Sequence, residues 1–569
     1  MNTDISKPPR LLAILSEPRA IWLFLSSALF PQAILLFYYN QNSAYVPVKY
    51  VLIVSVLSTL ITAAVWLVAF RFFKHTLSTS VFCLLIWISI FVSSLVHTII
   101  VDMIGNIFLF YLFWTLMSVL LAYILRKAKS SGTFSFVLCA FLSAFFVISA
   151  VSTIFITLLG FSQQKPELKT DFIVNSGLND RPNVYWIHCD GMLSFEAVET
   201  YFGDDQDDFR EALYKRDFEI NEAATFKANH KTTVAVPALM CPFFYDTFLS
   251  DMINDPESDT RALEPKIQPV LTEARLKNET VNAFKAAGYN TNTVALMDQF
   301  YFPTTDAFYF PLDTAGCGHF IRCFLIQYPY TPAKLPRLSE EEAMECIHVA
   351  EANTFMLSFF RPGVQLFGFD TTSNDAIFSS YSSSAKVVDP PLSDEEIKEI
   401  FLGGTASISH AYFAQSLSQI LNESTEDTPS FNLLLSLMWH DPYIFDENGM
   451  RLESFSLHDA KNYYTQHVYS AKVLINMVDM ILEKDPDAVI LLQADHGMNA
   501  HEEWELDFSF GEGQYNLSEL RHSTMSAIRV PEKYRNGEEV YALETPLNMS
   551  RYIVNRFVGK NYEYLEGPS

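Results

Sequence analysis

Five apolar runs crowd the first 160 residues, at about 21–39, 50–70, 81–101, 104–125 and 134–160. Each is near or above the ~20 residues that a helix needs to cross a bilayer. Buried helices of soluble proteins are rarely apolar for so long, and five in succession predict a transmembrane domain over residues 1–160. The first run is long, contains Pro31 and is followed by further runs, which sets it apart from a cleaved leader. Basic residues orient the spans. Lys7, Arg10 and Arg19 precede the first run, Arg71 and Lys74 lie between the second and third, and Arg126, Lys127 and Lys129 lie between the fourth and fifth. The other two connections hold Lys49 alone. The N-terminus is therefore expected in the cytoplasm, and five crossings put everything beyond residue 160 outside it. His97 and Asp102, near a membrane face, read as helix-end residues.

Charge divides the chain in the same place. Of the net −26, the first 160 residues contribute about +6 and the remainder about −32. So acidic an outer part is soluble, attracts cations and excludes a polyanion such as nucleic acid as partner. Seven cysteines are too few for a disulfide framework, although Cys317 and Cys323 are close enough in sequence to bridge. Residues 161–181 are polar, with Pro166 and Gly177, and read as a linker to a second domain over 182–569.

Within that domain, Asp487-Ala-Val-Ile-Leu-Leu-Gln-Ala-Asp495-His496-Gly497 is a short apolar run ending in an acid, an imidazole and a glycine. Such a run reads as a buried strand of a parallel sheet. Val184–Gly191, ending Cys189-Asp190-Gly191, repeats the pattern, and Phe431–Tyr443 ends in Trp439-His440-Asp-Pro-Tyr443. Helices are expected over 193–202, 209–218, 274–287, 338–360, 394–422 (with a break at Gly403-Gly404) and 457–482. Further strands are expected over 290–296 and 525–530, and irregular chain over 303–337 and 363–391. Strands alternating with helices imply an α/β domain with a mainly parallel central sheet and helices on both faces. No P-loop or dinucleotide glycine fingerprint is present.

In open α/β sheets the ligand crevice lies at the carboxyl ends of the strands. Asp190, His440 and Asp495-His496 would therefore meet there. A fourth segment, His230-Lys231-Thr232-Thr233-Val-Ala-Val-Pro237, leads a threonine into an apolar run; such a threonine is either a helix cap or a nucleophile. Two carboxylates and an imidazole can hold a divalent ion, which would lower the pKa of a threonine hydroxyl and neutralise charge on a phosphoryl oxygen. Zinc suits imidazole and carboxylate, and manganese tolerates the same ligands. His440 could bind substrate, donate a proton or hold a second ion. Lys231 is either a phosphate contact or a solvated loop residue. Cys189 reads as an inert core thiol.

These four motifs, in this order behind five apolar runs, resemble the membrane-anchored sulfatase-like transferases of the alkaline phosphatase superfamily, which include phosphoethanolamine and glycerol-phosphate transferases. The resemblance covers essentially the whole chain. It implies that Asp190, Thr232, Asp495 and His496 hold the metal. It makes Thr232, five places before Pro237, the nucleophile rather than Thr233, and it makes His440 the substrate or second-metal histidine. The phosphoethanolamine branch has a histidine shortly after its Asp-His-Gly; here His501 and His522 compete for that place. The cysteine pair that brackets that branch's nucleophile is missing, with Cys241 alone nearby. The Cys/Ser-x-Pro-x-Arg segment that arylsulfatases require is absent too.

The implied activity is transfer of phosphoethanolamine or glycerol phosphate from a membrane phospholipid to an envelope glycan or lipid, through a phosphothreonine. The implied place is the bacterial inner membrane, with the catalytic domain periplasmic or extracellular. A membrane-bound hydrolase (phosphodiesterase, phosphatase or sulfatase) would use the same first half-reaction, and a metal-less sensor or scaffold would keep only the fold. Transferred headgroup and oligomeric state are not legible.

Overall fold

The computed structural model describes residues 18–42, 48–104, 107–127, 131–159, 181–227, 232–253, 270–271, 274, 278–295, 305–313, 330–336, 386–404, 406–424, 428–453, 459–498 and 516–567. The chain divides into an N-terminal unit within Met1–Lys165 and a second unit that begins at Pro166.

Among the described residues the N-terminal unit holds five apolar helices: α1 (Pro18–Asn42), α2 (Val48–Phe73), α3 (Thr76–Ile104), α4 (Ile107–Lys127) and α5 (Ser131–Leu159). Polar side chains join neighbours where the helices pack. Gln32 donates to Ser58 at 2.7 Å, Trp66 to Ser80 at 3.0 Å and Trp87 to Thr62 at 2.9 Å. Such interhelical bonds suit a lipid environment, which offers no competing water. Leu52, Val56, Leu60, Phe72, Phe136 and Ile148 point outward and are exposed. Two stretches among the described residues, Val51–Phe73 and Ser135–Ile154, are long and apolar enough to cross a membrane, whereas Ile21–Phe37 and Thr76–Ile90 are shorter. The expectation of five spans is thus corrected to two among the described residues. In α1 the described side chains run without a gap from Ile21 to Phe37, and in α3 they stop at Ile90.

The second unit is built on a nine-stranded mixed sheet with helices on both faces. Its strands are β1 (Val184–Cys189), β2 (Phe218–Ile220), β3 (Asn290–Val294), β4 (Ala307–Asp313), β5 (Tyr330–Pro336), β6 (Lys386–Val387), β7 (Ser430–Ser436), β8 (Val489–Gln493) and β9 (Ser526–Arg529), in the order β2-β9-β8-β1-β7-β3-β4-β5-β6. The five central strands, β8-β1-β7-β3-β4, are parallel; outside them each strand, β9 then β2 on one side and β5 then β6 on the other, pairs antiparallel with its inner neighbour. β1, β7 and β8 are buried along their whole length, which is why β8, most of β1 and the Leu433–Leu435 centre of β7 read as continuous apolar runs rather than alternating ones.

The helices around the sheet begin where the sequence supplies caps. Ser194 caps α6 (Phe195–Phe202), and α7 (Asp207–Tyr214) follows it. Thr232–Met240 forms α8, and Asn278 caps α9 (Glu279–Ala286). Ser393 and Glu396 form a capping box on α10 (Asp394–Ile400), which the glycines at 403 and 404 separate from α11 (Ile408–Glu423), as expected. Asp459 caps α12 (Ala460–Lys484), and Asn516 caps α13 (Leu517–His522).

Residues 303–337, expected to be irregular, instead supply an antiparallel ribbon, β4 with β5. Pro311 stands opposite Pro332 in it, beyond the reach of β3, so neither proline removes a hydrogen bond from a central strand. The helix expected at 338–360, most of the loop expected at 363–391, the linker and the Cys317–Cys323 pair lie outside the described residues.

Candidate metal centre and active site

Register explains how distant residues meet. β1 pairs with β8 so that Val184 faces Val489 and His188 faces Gln493. The same offset carried two residues further sets Asp190 level with Asp495. On the other side Cys189 faces Ser436 at the end of β7, and the Asp190 amide donates to the Ser436 carbonyl at 3.1 Å. Three strand ends thus share one edge of the sheet. The turn after Asp190 is held by Tyr463 of α12, whose hydroxyl donates to the Gly191 carbonyl at 2.9 Å and accepts from the Leu193 amide at 3.1 Å. Gly191 has φ +82°, a backbone conformation that a side chain would strain.

Thr232 opens α8 half-buried beside these ends. Its hydroxyl donates to Asp190 Oδ2 at 3.4 Å and lies 3.4 Å from His496 Nε2. His496 Nε2 is 3.2 Å from Asp190 Oδ1 and 3.9 Å from Asp495 Oδ2. The four residues expected to surround one ion therefore converge. A fifth joins them that the strand-end logic overlooked. His188, within β1, brings Nε2 to 3.3 Å from Asp495 Oδ1. Ligand atoms of His188, Asp190 and Asp495 all lie within 4.8 Å of one another. The signal was available: residues two apart on a strand share a face, so His188 faces the way Asp190 does.

The cluster fits a divalent ion by three observations. Asp190 is 1% exposed and Asp495 fully buried, and an uncompensated buried carboxylate is costly. Asp190 Oδ1, both Asp495 oxygens and His188 Nε2 have no aligned hydrogen-bond partner among the described residues, although their neighbours are near. His496 Nδ1 donates to the Gly497 carbonyl at 2.7 Å, which leaves Nε2 as the nitrogen turned to the cluster, an arrangement usual for metal-binding histidines. The field is strong. Burial opposes the charge on Asp495, but the imidazoles of His496 and His188 outweigh it and hold this carboxyl well below its ordinary range. Burial likewise opposes charge on His496, and the carboxylates of Asp495 and Asp190 overcome it and raise its basicity.

His440 stands at the rim, its ring centroid 6.5 Å from that of His496. Its Nδ1 donates to the Asp441 carbonyl at 2.6 Å and lies 2.8 Å from the Asp441 carboxylate. Burial works against its charge, but Asp190 and Asp441 push its pKa up to about 9. His522 ends α13. Burial, then the nearby Lys227, lowers its pKa to about 4, His496 of the cluster acts in the same direction, and the buried Nε2 of His522 has no hydrogen-bond partner among the described residues. Lys231 and His501 lie outside the described residues. Cys189 is buried and its thiol is pushed far above the ordinary range by that burial, as an inert core thiol should be.

No family model and no curated protein matches the chain. Solved structures are similar to it. One is the C-terminal periplasmic domain of EcEptC from Escherichia coli, at 11% identity, covering 68% of this chain and 85% of that one, with a TM-score of 0.34. The integral membrane lipooligosaccharide phosphoethanolamine transferase A of Neisseria meningitidis is 11% identical over 91% of this chain and 89% of its own, with a TM-score of 0.34. The lipoteichoic acid synthase LtaP from Listeria monocytogenes is 11% identical over 68% of this chain and 74% of its own, also at 0.34.

Proposed function

We propose that the chain is a membrane-anchored, metal-dependent phosphotransferase. It moves phosphoethanolamine or glycerol phosphate from a phospholipid to an envelope glycan or lipid through a phosphothreonine at residue 232. The observation that carries this reading is the Thr232 hydroxyl 3.4 Å from both Asp190 and His496, beside three buried carboxylate oxygens, Asp190 Oδ1 and both of Asp495, that lack aligned partners among the described residues. A half-buried threonine with such neighbours is a nucleophile rather than a simple helix cap. Asp190, Asp495, His496 and the Thr232 oxygen would hold the ion, zinc first and manganese second by their donor types. When bound, it would lower the hydroxyl's pKa and neutralise charge on the phosphoryl oxygens.

The rest falls to the chain's own residues. Thr232 Oγ1 bonds to phosphorus while the bond to the diacylglycerol oxygen breaks. The hydroxyl proton passes to solvent water, because Asp190, Asp495 and His496 would be occupied as ligands. His440, steadied through Nδ1 by Asp441, binds the phosphoryl group or returns a proton to the leaving oxygen. An acceptor hydroxyl then displaces threonine. The helices α1–α5 serve as the anchor in a bacterial inner membrane, with the catalytic unit outside the cytoplasm. Tethering would keep the site near its lipid donor and raise its effective concentration.

Thr232→Ala in the full-length protein tests the assignment. Diacylglycerol release from phospholipid vesicles should fall by roughly 10³-fold or more, while folding and metal content stay near wild type. Normal turnover by the variant would refute Thr232 as nucleophile. Diacylglycerol release by the wild type without any modified glycan or lipid would identify a hydrolase instead.

A further inference from the structure

Neither the strand-end pattern nor the sequence resemblance assigns anything to residue 188. A histidine inside a wholly buried central strand is nevertheless out of place. Its β1 neighbours are Val184, Tyr185, Trp186 and Ile187, all at most 1% exposed. A buried imidazole there needs a partner to offset its desolvation. The partner it faces is Asp495, 3.3 Å away, yet the two are not aligned for a hydrogen bond, and both Nε2 and the carboxylate oxygens remain orphaned.

We infer that His188 is a ligand of the metal centre in its own right, giving the ion a second imidazole beside His496. The inference rests on the reading of this cluster as a metal site. Geometry supports ligation over simple hydrogen bonding. Two donors on one ion, each about 2.1 Å from it, can stand no more than about 4.2 Å apart. The donor atoms of His188, Asp190 and Asp495 lie within 4.8 Å, so a closure of about half an ångström brings them onto one ion. The separation of 3.3 Å between His188 and Asp495 is of the size expected for adjacent ligands. The poor hydrogen-bond angle is then no defect, because both groups point at a common centre rather than at each other. Chemically, two imidazoles and two carboxylates form a more nitrogen-rich set than one imidazole would. Such a set favours zinc and cobalt over manganese and magnesium. His188 thereby sets which ion the site prefers.

The test uses the full-length protein in detergent, titrated with Zn²⁺, Co²⁺ and Mn²⁺ separately against competing chelators. Three variants are compared with the wild type: His188→Ala, His188→Gln and Asp495→Asn. Glutamine keeps an N–H donor near Asp495 but offers no imidazole nitrogen. Both His188 variants should bind zinc roughly 100-fold more weakly. Their preference for zinc over manganese should shrink by about tenfold or more, and the visible absorption of the cobalt-loaded protein should change. If His188→Gln binds zinc like the wild type and leaves the cobalt spectrum unaltered, His188 only orients Asp495 and the inference is overturned. It also falls alone if Asp495→Asn loses metal while both His188 variants bind normally. If the wild type binds none of the three ions, the underlying metal reading fails instead. The glutamine variant keeps the test informative should alanine in β1 prevent folding.

Discussion

Gly497, the last residue of the Asp-His-Gly stretch, permits a sharp test of how the site is built. A Cβ placed there would collide with the backbone carbonyl oxygens of Leu520 and Ser523 and would approach Leu193 Cδ2 to 2.7 Å. Side-chain ends can swing aside; these two oxygens cannot do so cheaply. The Gly497 amide donates to the Arg521 carbonyl at 2.8 Å. The Ser523 amide is tied to Glu519 at 2.8 Å, and the Ser523 hydroxyl meets that of Ser194 at 2.6 Å. Next along the chain, Thr524 and Met525 are bonded to Ala224 and Met192. The end of α13 is therefore fixed on several sides. Overpacking usually costs about 1–3 kcal/mol, and backbone contacts place Gly497→Ala at about 3 kcal/mol or above, a fall of roughly 5 °C in Tm.

The strain has two ways out, and one of them displaces Asp495 and His496. A shift of about 1 Å at a reacting group can cost roughly 10²-fold in rate. Thermal unfolding, zinc titration and turnover should therefore all worsen together in Gly497→Ala. Gly537 supplies the control. It has φ +86° and open space where a Cβ would stand, so Gly537→Ala carries only the dihedral cost of about 1 kcal/mol and leaves metal binding alone. If Gly497→Ala unfolds no earlier than Gly537→Ala and binds zinc normally, the close approach described here is wrong.

Removing the imidazole in His496→Ala should lower metal occupancy as read by elemental analysis; full stoichiometry would contradict its role as ligand. Chelator treatment of the wild type should lower its Tm, since an ion that binds only the folded state stabilises it, and an unchanged Tm would count against the metal centre. A third expectation concerns Glu279, away from the site. Burial pushes its carboxyl from an ordinary 4.5 up to about 7, although the Phe243 amide donates to it at 2.9 Å. The folded state then keeps a proton that the unfolded chain releases. The stability this group contributes is complete below pH 4.5 and is lost as pH rises through about 7. Glu279→Gln should remove that loss, worth up to about 3 kcal/mol, so unfolding at pH 5 and pH 8 should differ less than in the wild type. An equal pH dependence in the two proteins would reject the assignment.

Much of the second unit was legible because buried parallel strands advertise themselves. Val184–Ile187, Leu433–Leu435 and Val489–Leu492 are continuous apolar runs in wholly buried strands, and each is followed within a few residues by the polar groups that mark the ligand edge. Strands away from the sheet centre give weaker signals. β4 and β5 carry prolines and aromatics that read as loop, and Pro311 and Pro332 are accommodated opposite each other where β4 has run past its pairing with β3. β9 resembles its neighbours in composition, and nothing local says that it runs antiparallel. The N-terminal runs showed where helices form, since each falls on a helix of 21 to 29 residues.

His188 was missed for a different reason, and that reason bears on how the site works. Sequence logic looks for chemistry where a strand ends, and His188 lies two residues before the end. Its placement depends on the pairing of β1 with β8, since the offset that sets His188 beside Gln493 also sets Asp190 level with Asp495. A slip of one residue in that pairing would turn His188 and Asp190 away from Asp495 together, because alternate residues face opposite sides of a sheet. The apolar packing of β1, β7 and β8 therefore does more than stabilise the fold. It holds the register that brings two carboxylates, two imidazoles and a threonine hydroxyl to one point, and the chemistry proposed for residue 232 rests on that alignment.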